Sequence, residues 1–198
     1  PHVDFIFHMG ACSSTTEMDM DYLMSNNLEY SKNLFTLAAE LNVPIVYASS
    51  AATYGLGEHG YSDEHPLTSK LRPLNPYGYS KQLFDEWVLK REMSHEDMPP
   101  RWFGVKFFNV FGPNEYHKEE MRSLVHKGFE QVREKGSVKL FKSHKEGFKD
   151  GEQLRDFVYV KEVVNAMILM MQDEHGSAAN GLYNLGTGRA RTFYDLIA

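Results

Sequence analysis

The sequence predicts an α/β fold built on a parallel sheet with helices on both faces. Three observations carry this. Short apolar runs alternate with helix-period stripes along the whole chain, the pattern of βαβ units rather than hairpins. Two of the runs exit into small polar residues, Ser49-Ser50 and Asn109, where open α/β sheets present ligand-facing side chains. The balance of 42% apolar and 24% charged residues in 198 supports a full core in water, in one domain or one and a fraction.

The elements follow in order. Asp4 to His8 reads as a buried strand. Glu17 to Asn42 reads as one long helix, with Leu34, Leu37, Ala38 and Leu41 spaced i, i+3, i+4, i+7. Pro44 to Ala48 is the next strand. Residues 55–75, rich in Gly, Pro and charge, read as a loop. Pro76 suits a first helical turn and opens a helix to about Glu92. Phe103 to Phe108 is a strand, Glu119 to Lys135 a helix, and Val138 to Phe141 a short strand. Lys142 to Leu154 is polar and irregular. Phe157 to Val160 is a strand. Val164, Met167, Ile168 and Met171 give a helical stripe, and Leu182 to Leu185 is the last strand. No internal repeat or low-complexity tract interrupts the pattern.

Composition excludes several functions. A net charge of -6 argues against a general nucleic-acid binder. No apolar run approaches the ~20 residues of a membrane span. The single cysteine, Cys12, allows no intrachain disulfide and fits a reducing, cytoplasmic setting. Cys12 has no identifiable base beside it and reads as a small buried residue. The nine histidines are scattered, with no H-E-x-x-H or C-x-x-C pair, so no metal site is expected. The chain starts PHVDFIF, without methionine or a signal-peptide pattern, and ends TFYDLIA inside a new helix. An internal fragment of a longer protein is expected.

Gly55-Leu56-Gly57-Glu58-His59-Gly60 matches G-x-G-x-x-G, yet no helix begins inside it to meet a pyrophosphate, so it reads as a turn. Any dinucleotide-binding Gly-rich loop is expected before Pro1. Ser49 or Ser50 can bond a substrate oxygen at the strand exit. In Asn75-Pro76-Tyr77-Gly78-Tyr79-Ser80-Lys81, helical spacing puts Tyr77 and Lys81 on one face and turns Tyr79 away. A free tyrosine has a pKa of about 10, and a neighbouring ammonium is expected to lower it toward the working range of a base. Ser, Tyr and Lys together suit moving a hydride and a proton on an alcohol. In the third segment, Phe107 to Lys118, Asn109 stands at a strand exit. By spacing alone Lys118 is a surface lysine. Arg155 is either a fork for a diphosphate or an ion-pair partner of Asp156.

HMGACSSTTE, NNLEYSKNL, YASSAATYG, NPYGYSK, FFNVFGPNEYHK, LRDFVYVKEV and YNLGTGRA stand in the order and spacing of the extended short-chain dehydrogenase/reductase family, and the chain resembles its sugar-nucleotide branch from Phe5 to Asp195. The resemblance implies a Rossmann-type doubly wound parallel sheet, with residues 1–109 and 156–185 in the NADP-binding domain. Residues 110–155 and 186–198 would belong to a smaller α/β substrate-binding domain. It implies epimerisation at C6 of an ADP-heptose, supplying the heptose of lipopolysaccharide core, through a transient ketone and a bound NADP, with NAD possible. The catalytic residues would be Ser50, Tyr77, Lys81 and Lys118, with Lys118 a second acid/base on the opposite face of the sugar. Cofactor contacts would fall on Met9, Gly10, Ala11, Cys12, Ser13, Asn26, Lys81, Val110 and Lys118. Substrate contacts would fall on Ser50, Asn109, Glu120, Lys127, Phe141, Lys142, Ser143, His144 and Arg155. Glu120 and Lys127 stand where such epimerases more often carry serine and histidine. Lys142 replaces an acidic residue, and KEGFKDGEQ is a longer link than usual. The expected partners are the ADP-heptose substrate and further copies of the chain in a homo-oligomer, with neither nucleic acid nor membrane. A 4,6-dehydratase is disfavoured because Ser50, Ala51 and Ala52 offer no carboxylate at the strand exit. The alternatives left open are a UDP-hexose 4-epimerase and a non-catalytic nucleotide sensor.

Overall fold

A computed structural model describes residues 2–144, 146–173 and 176–198. The chain forms two compact units, Pro1–Phe107 with Ala166–Asn184, and Phe108–Asn165 with Leu185–Ala198. Residues 156–165, which the sequence reading places with the first unit, are compact with the second.

The first unit is organised by a four-stranded sheet, in which β1 (Ile6–His8), β2 (Ile45–Ser50), β3 (Trp102–Phe107) and β7 (Gly181–Leu185) lie in that order. β1 pairs with β2 in parallel, Ile6 opposite Ile45, and β2 with β3, Ile45 opposite Trp102. β2 has a parallel neighbour on each side, which explains its near-continuous apolar start, Ile45-Val46-Tyr47, with no exposed surface. Phe35 centres the core. Its ring meets Tyr47, Phe84, Trp87 and Trp102 edge-on at centroid distances of 5.9 to 6.3 Å. No helix among the described residues is long and apolar enough to cross a membrane.

The long helix expected over 17–42 forms with a difference. Asp19 caps α1 (Met20–Leu23) by accepting the Tyr22 N–H. A π-helical turn, Met24–Glu29, then leads into α2 (Tyr30–Glu40), and the Tyr30 N–H reaches back five residues to the Ser25 carbonyl. The expected loop over 55–75 contains a short helix, α3 (His65–Thr68). Its His65 ring accepts the Leu182 N–H at 3.2 Å and so ties the loop to β7. α4 (Pro76–Met93) starts where the sequence predicts, with Asn75 accepting the Gly78 N–H at 2.7 Å and Pro76 in the first turn.

In the second unit β4 (Asn109–Phe111) pairs in parallel with β6 (Phe157–Tyr159), and β5 (Leu154–Arg155) pairs antiparallel with β8 (Arg191–Thr192). α6 (Val160–Gln172) follows β6 and passes into the first unit at Ala166, and α7 (Phe193–Ile197) follows β8, opened by a Thr192–Asp195 capping box. Two expectations are corrected here. The helix over 119–135 is broken. A 3₁₀ turn covers Tyr116–Met121, Glu119 sits at φ 45°, and α5 (Leu124–Lys135) begins only after Ser123 caps it. The strand over 138–141 does not form. The Lys139 N–H is taken by the Gln131 side chain and the Phe141 carbonyl by Gly151, so this stretch has no partner strand.

Candidate active site

Helix α4 and the exit of β2 build the centre of the first unit. Beyond β2 the chain makes a 3₁₀ turn, Ala51–Tyr54. The first turn of α4 presses against it so closely that a Cβ on Gly78 would lie 2.9 Å from the Ala52 carbonyl oxygen. That approach, open only to glycine, brings Ser50 to Tyr77. Ser50 Oγ accepts the Ala52 N–H at 3.1 Å, which leaves its own hydrogen for the Tyr77 phenol oxygen. Ser49, the other candidate, is buried and donates to Asp85 at 2.7 Å, so Ser50 is the serine available at the strand exit. Tyr79 turns away, 45% exposed, and lines a surface cavity of about 420 Å³ with Arg72, Gln82 and Glu86.

Lys81 is 5% exposed and donates from Nζ to the Ala48 carbonyl at 3.0 Å. Burial pulls its pKa down to about 8 against the upward pull of Asp85. Tyr77 departs from expectation. Burial pushes its pKa up, opposed by the Ser50 hydrogen bond, and Lys81 does not bring it below its ordinary value. The Lys81 ammonium is directed at the Ala48 carbonyl, and burial of the phenol outweighs the Ser50 bond.

One turn beyond Lys81, sequence reasoning missed a buried cluster. Asp85, fully buried, accepts from Lys106 Nζ at 2.6 Å, Ser49 Oγ at 2.7 Å and Tyr47 Oη at 3.3 Å. Lys106, also fully buried, donates to Thr53 at 3.0 Å. Two signals were present. Asp85 continues the Tyr77–Lys81 spacing by another i+4 step, and Lys106 interrupts an otherwise apolar strand.

At the exit of β1, Met9, Gly10, Ala11, Cys12 and Ser13 form a loop whose backbone is fixed by Asn27. That side chain accepts the Cys12 N–H at 2.8 Å and donates to the Cys12 carbonyl at 3.0 Å and to Ser80 at 3.0 Å. Sequence reasoning singled out its neighbour Asn26, which donates to the Tyr22 carbonyl. Gly10 presents open space above its Cα. An exposed loop held rigid from behind, beside a buried ammonium with donors to spare, fits the nicotinamide-ribose end of a dinucleotide.

The remaining candidates lie in the second unit. Asn109 is exposed at the start of β4, its N–H bonded to the Asp156 carbonyl at 2.9 Å, and Val110 follows it in the strand. Lys118 is exposed in the 3₁₀ turn after β4. Glu120 and Lys127, two of the departures from the family pattern, bind each other. The Lys127 ammonium meets the Glu120 carboxylate at 3.2 Å and also its carbonyl. Phe141, 56% exposed, packs on Phe193 at a centroid distance of 5.2 Å, and Lys142, Ser143 and His144 follow it. Arg155 lies over the Phe193 ring at 5.7 Å. Its alternative role as a partner of Asp156 is overturned. The Asp156 carboxylate is occupied by the Thr187 N–H and hydroxyl and the Gly188 N–H at 2.7 to 2.9 Å, and it organises the 186–189 loop instead.

The chain is similar to known proteins over nearly all its length. It is 54% identical to the ADP-L-glycero-D-manno-heptose-6-epimerase of Fusobacterium nucleatum, over 98% of this chain and 57% of the relative. It is 48% identical to the enzyme of that name from Nitratidesulfovibrio vulgaris, over 98% and 58%. Among solved structures, Helicobacter pylori ADP-L-glycero-D-manno-heptose-6-epimerase superposes with a TM-score of 0.80 at 33% identity, over 99% of this chain and 57% of that one. Thermus thermophilus UDP-glucose 4-epimerase, solved with NAD, gives 0.73 at 26%, over 98% and 59%. The chain thus spans a little over half the length of these relatives. The profile of the NAD dependent epimerase/dehydratase family matches residues 1–186, and the chain belongs to that family.

Proposed function

We propose that the protein containing this chain interconverts the C6 epimers of an ADP-heptose, using a bound nicotinamide dinucleotide, NADP in our reading. The observation that carries this is the Ser50–Tyr77–Lys81 arrangement at the exit of a parallel strand, in a chain 48% to 54% identical to heptose-6-epimerases. C6 of a heptose bears no acidic proton, so inversion requires oxidation to a ketone and reduction from the other face. A bound nicotinamide would supply the hydride acceptor and donor for C6.

The protein handles the proton. Loss of hydride must be matched by loss of the hydroxyl proton, and return of hydride by return of a proton to the same oxygen. Tyr77, bonded to Ser50, serves this oxygen in one epimer, and Lys118 serves it in the other. Lys81 holds the ribose and balances charge on the phenol oxygen. Met9 to Ser13, Asn26 and Val110 line the cofactor. Asn109, Glu120, Lys127, Phe141 to His144 and Arg155 meet the nucleotide sugar, with the Arg155 guanidinium on the diphosphate. Residues 1–109 and 156–185 would carry the cofactor, and 110–155 with 186–198 the substrate. A cytoplasmic homo-oligomer completes the reading.

The test uses the full-length protein that contains this chain, a single ADP-heptose epimer, no added redox acceptor, and NMR. Equilibration at C6 is expected. Retained NADP binding with no change at C6 overturns the reading. The UDP-hexose 4-epimerase alternative is supported by the similarity to the Thermus enzyme, and it separates from ours on Lys118. Lys118→Ala stops C6 epimerisation in our reading and spares a C4 reaction in the other. A nucleotide sensor would bind and turn nothing over.

A further inference from the structure

We infer that Glu115 is a positioning residue for Lys118, and that its buried carboxylate sets the geometry of the turn that carries this lysine. The inference rests on the proposed acid/base role of Lys118.

The stretch after β4, Gly112 to Ser123, is difficult backbone. Asn114 at φ 70° and Glu119 at φ 45° are both non-glycine residues in the left-handed region, and they bracket Lys118. Such a turn persists only where its surroundings over-determine it. Glu115 supplies that constraint. Although its neighbours on both sides are exposed, Glu115 is 4% exposed. Its Oε1 accepts the Gly112 N–H at 3.0 Å and the Ser123 hydroxyl at 2.8 Å, and its Oε2 accepts the Ser123 N–H at 2.6 Å. One carboxylate therefore ties the exit of β4 to the cap of α5 across the whole turn. Its own carbonyl accepts the Lys118 N–H at 3.0 Å, which fixes the lysine's backbone to the same residue. Burial alone would push its pKa up, but the donors of Ser123 and Gly112, with the charge of Lys118, hold it below the usual range. It is ionised at neutral pH and accepts at both oxygens.

The donor count makes the residue type specific. Two N–H groups and a hydroxyl converge on the head group, so an amide would turn its NH₂ toward at least one of them, and a buried donor would lose its acceptor. Glu115→Gln, nearly identical in volume, therefore breaks the clamp. Glu115→Asp keeps both oxygens on a shorter stem.

The test is a double-mutant cycle in the full-length protein, reading C6 epimerisation. Glu115→Gln is expected to lower kcat by about 10²-fold, the scale of a misplaced catalytic group, with KM moving far less. Added to Lys118→Ala, the same change is expected to lower the residual kcat by less than about 3-fold, because the group it positions is gone. An equal loss in both backgrounds overturns the inference, since Glu115 would then act without Lys118. Undiminished activity of Lys118→Ala overturns the acid/base reading of Lys118 and the inference with it, whereas additivity overturns the inference alone. If Glu115→Gln does not fold, Glu115→Asp enters the same cycle, with partial loss in the parent and none beyond Lys118→Ala expected, and additivity again overturning it.

Discussion

Tyr77 with Lys81, and Lys118, the groups we propose to handle the proton, are held in opposite ways. The first pair stands on an eighteen-residue helix, capped by Asn75, pressed against the turn after β2 and backed by the Asp85–Lys106 ion pair. Lys118 stands exposed on a 3₁₀ turn bridged by the Glu115 carboxylate. The difference teaches that placement can be achieved by burial, which also shifts proton affinity, or by local hydrogen bonds, which leave the ammonium in water. Burial brings Lys81 to about 8 and raises Tyr77.

The largest effect that can break this contrast is catalytic. In the full-length protein, Tyr77→Phe, Lys81→Ala and Lys118→Ala should each lower kcat for C6 epimerisation by roughly 10³-fold, within the range of a lost acid/base. An added primary alkylamine should restore part of the activity to Lys118→Ala and none to Lys81→Ala, because only the first opens to solvent. Rescue of both, or of Lys81→Ala alone, would remove the contrast.

A smaller effect concerns stability. Asp85→Asn leaves the Lys106 ammonium buried without its counter-ion, and denaturant unfolding should show a loss of about 3–5 kcal/mol. Replacing Asp85 and Lys106 together by apolar residues should lose less. If the double variant is the less stable of the two, the pair is not acting as mutual charge compensation.

The smallest effect depends on pH. Folded Lys81 gives up its proton near pH 8, while the unfolded chain keeps it to 10.5, so the unfolded state binds more protons between these values. Stability therefore rises with pH across that window, and the penalty for burying the charge is complete below pH 8. Lys81→Met removes it and should raise stability by up to about 3 kcal/mol at pH 7, less what the lost Ala48 bond contributes, with the gain fading toward pH 10.5. A gain independent of pH would show that the methionine acts through packing instead.

The sequence was most informative where one periodicity governed. Tyr77 and Lys81 were visible as an i, i+4 pair, and α4, β2 and β3 form close to where the pattern placed them. Asn27 was not visible, because a π-helical turn breaks the 3.6 period by which a helix face is read. The 138–141 strand was misread because its local pattern does not show whether a partner is present. Ser123, a single cap residue, breaks what looked like one helix. The pairing of Glu120 with Lys127 and the taking of Asp156 by the 186–189 loop depend on contacts that composition does not encode. Lys118 drew notice only through family resemblance, since its exposure is that of any surface lysine.

The π-helical turn at Met24–Glu29 limits how this chain can be shortened. A wide turn accommodates one residue more than a regular one, and each residue along a helix rotates its neighbours by about 100°. Leu23, fully buried, lies before the turn, and the Cys12-holding Asn27 lies within it. Ser31 follows, its hydroxyl on the Asn27 carbonyl at 2.6 Å and beside the His8 ring at 2.7 Å. Deleting a residue beside Asn27 would close the wide turn to a regular one, leave Leu23 and Ser31 on their faces, and rotate Asn27 away from Cys12. The wide turn thus serves the β1 loop rather than the helix, which would be regular without it and would lose its hold on Cys12.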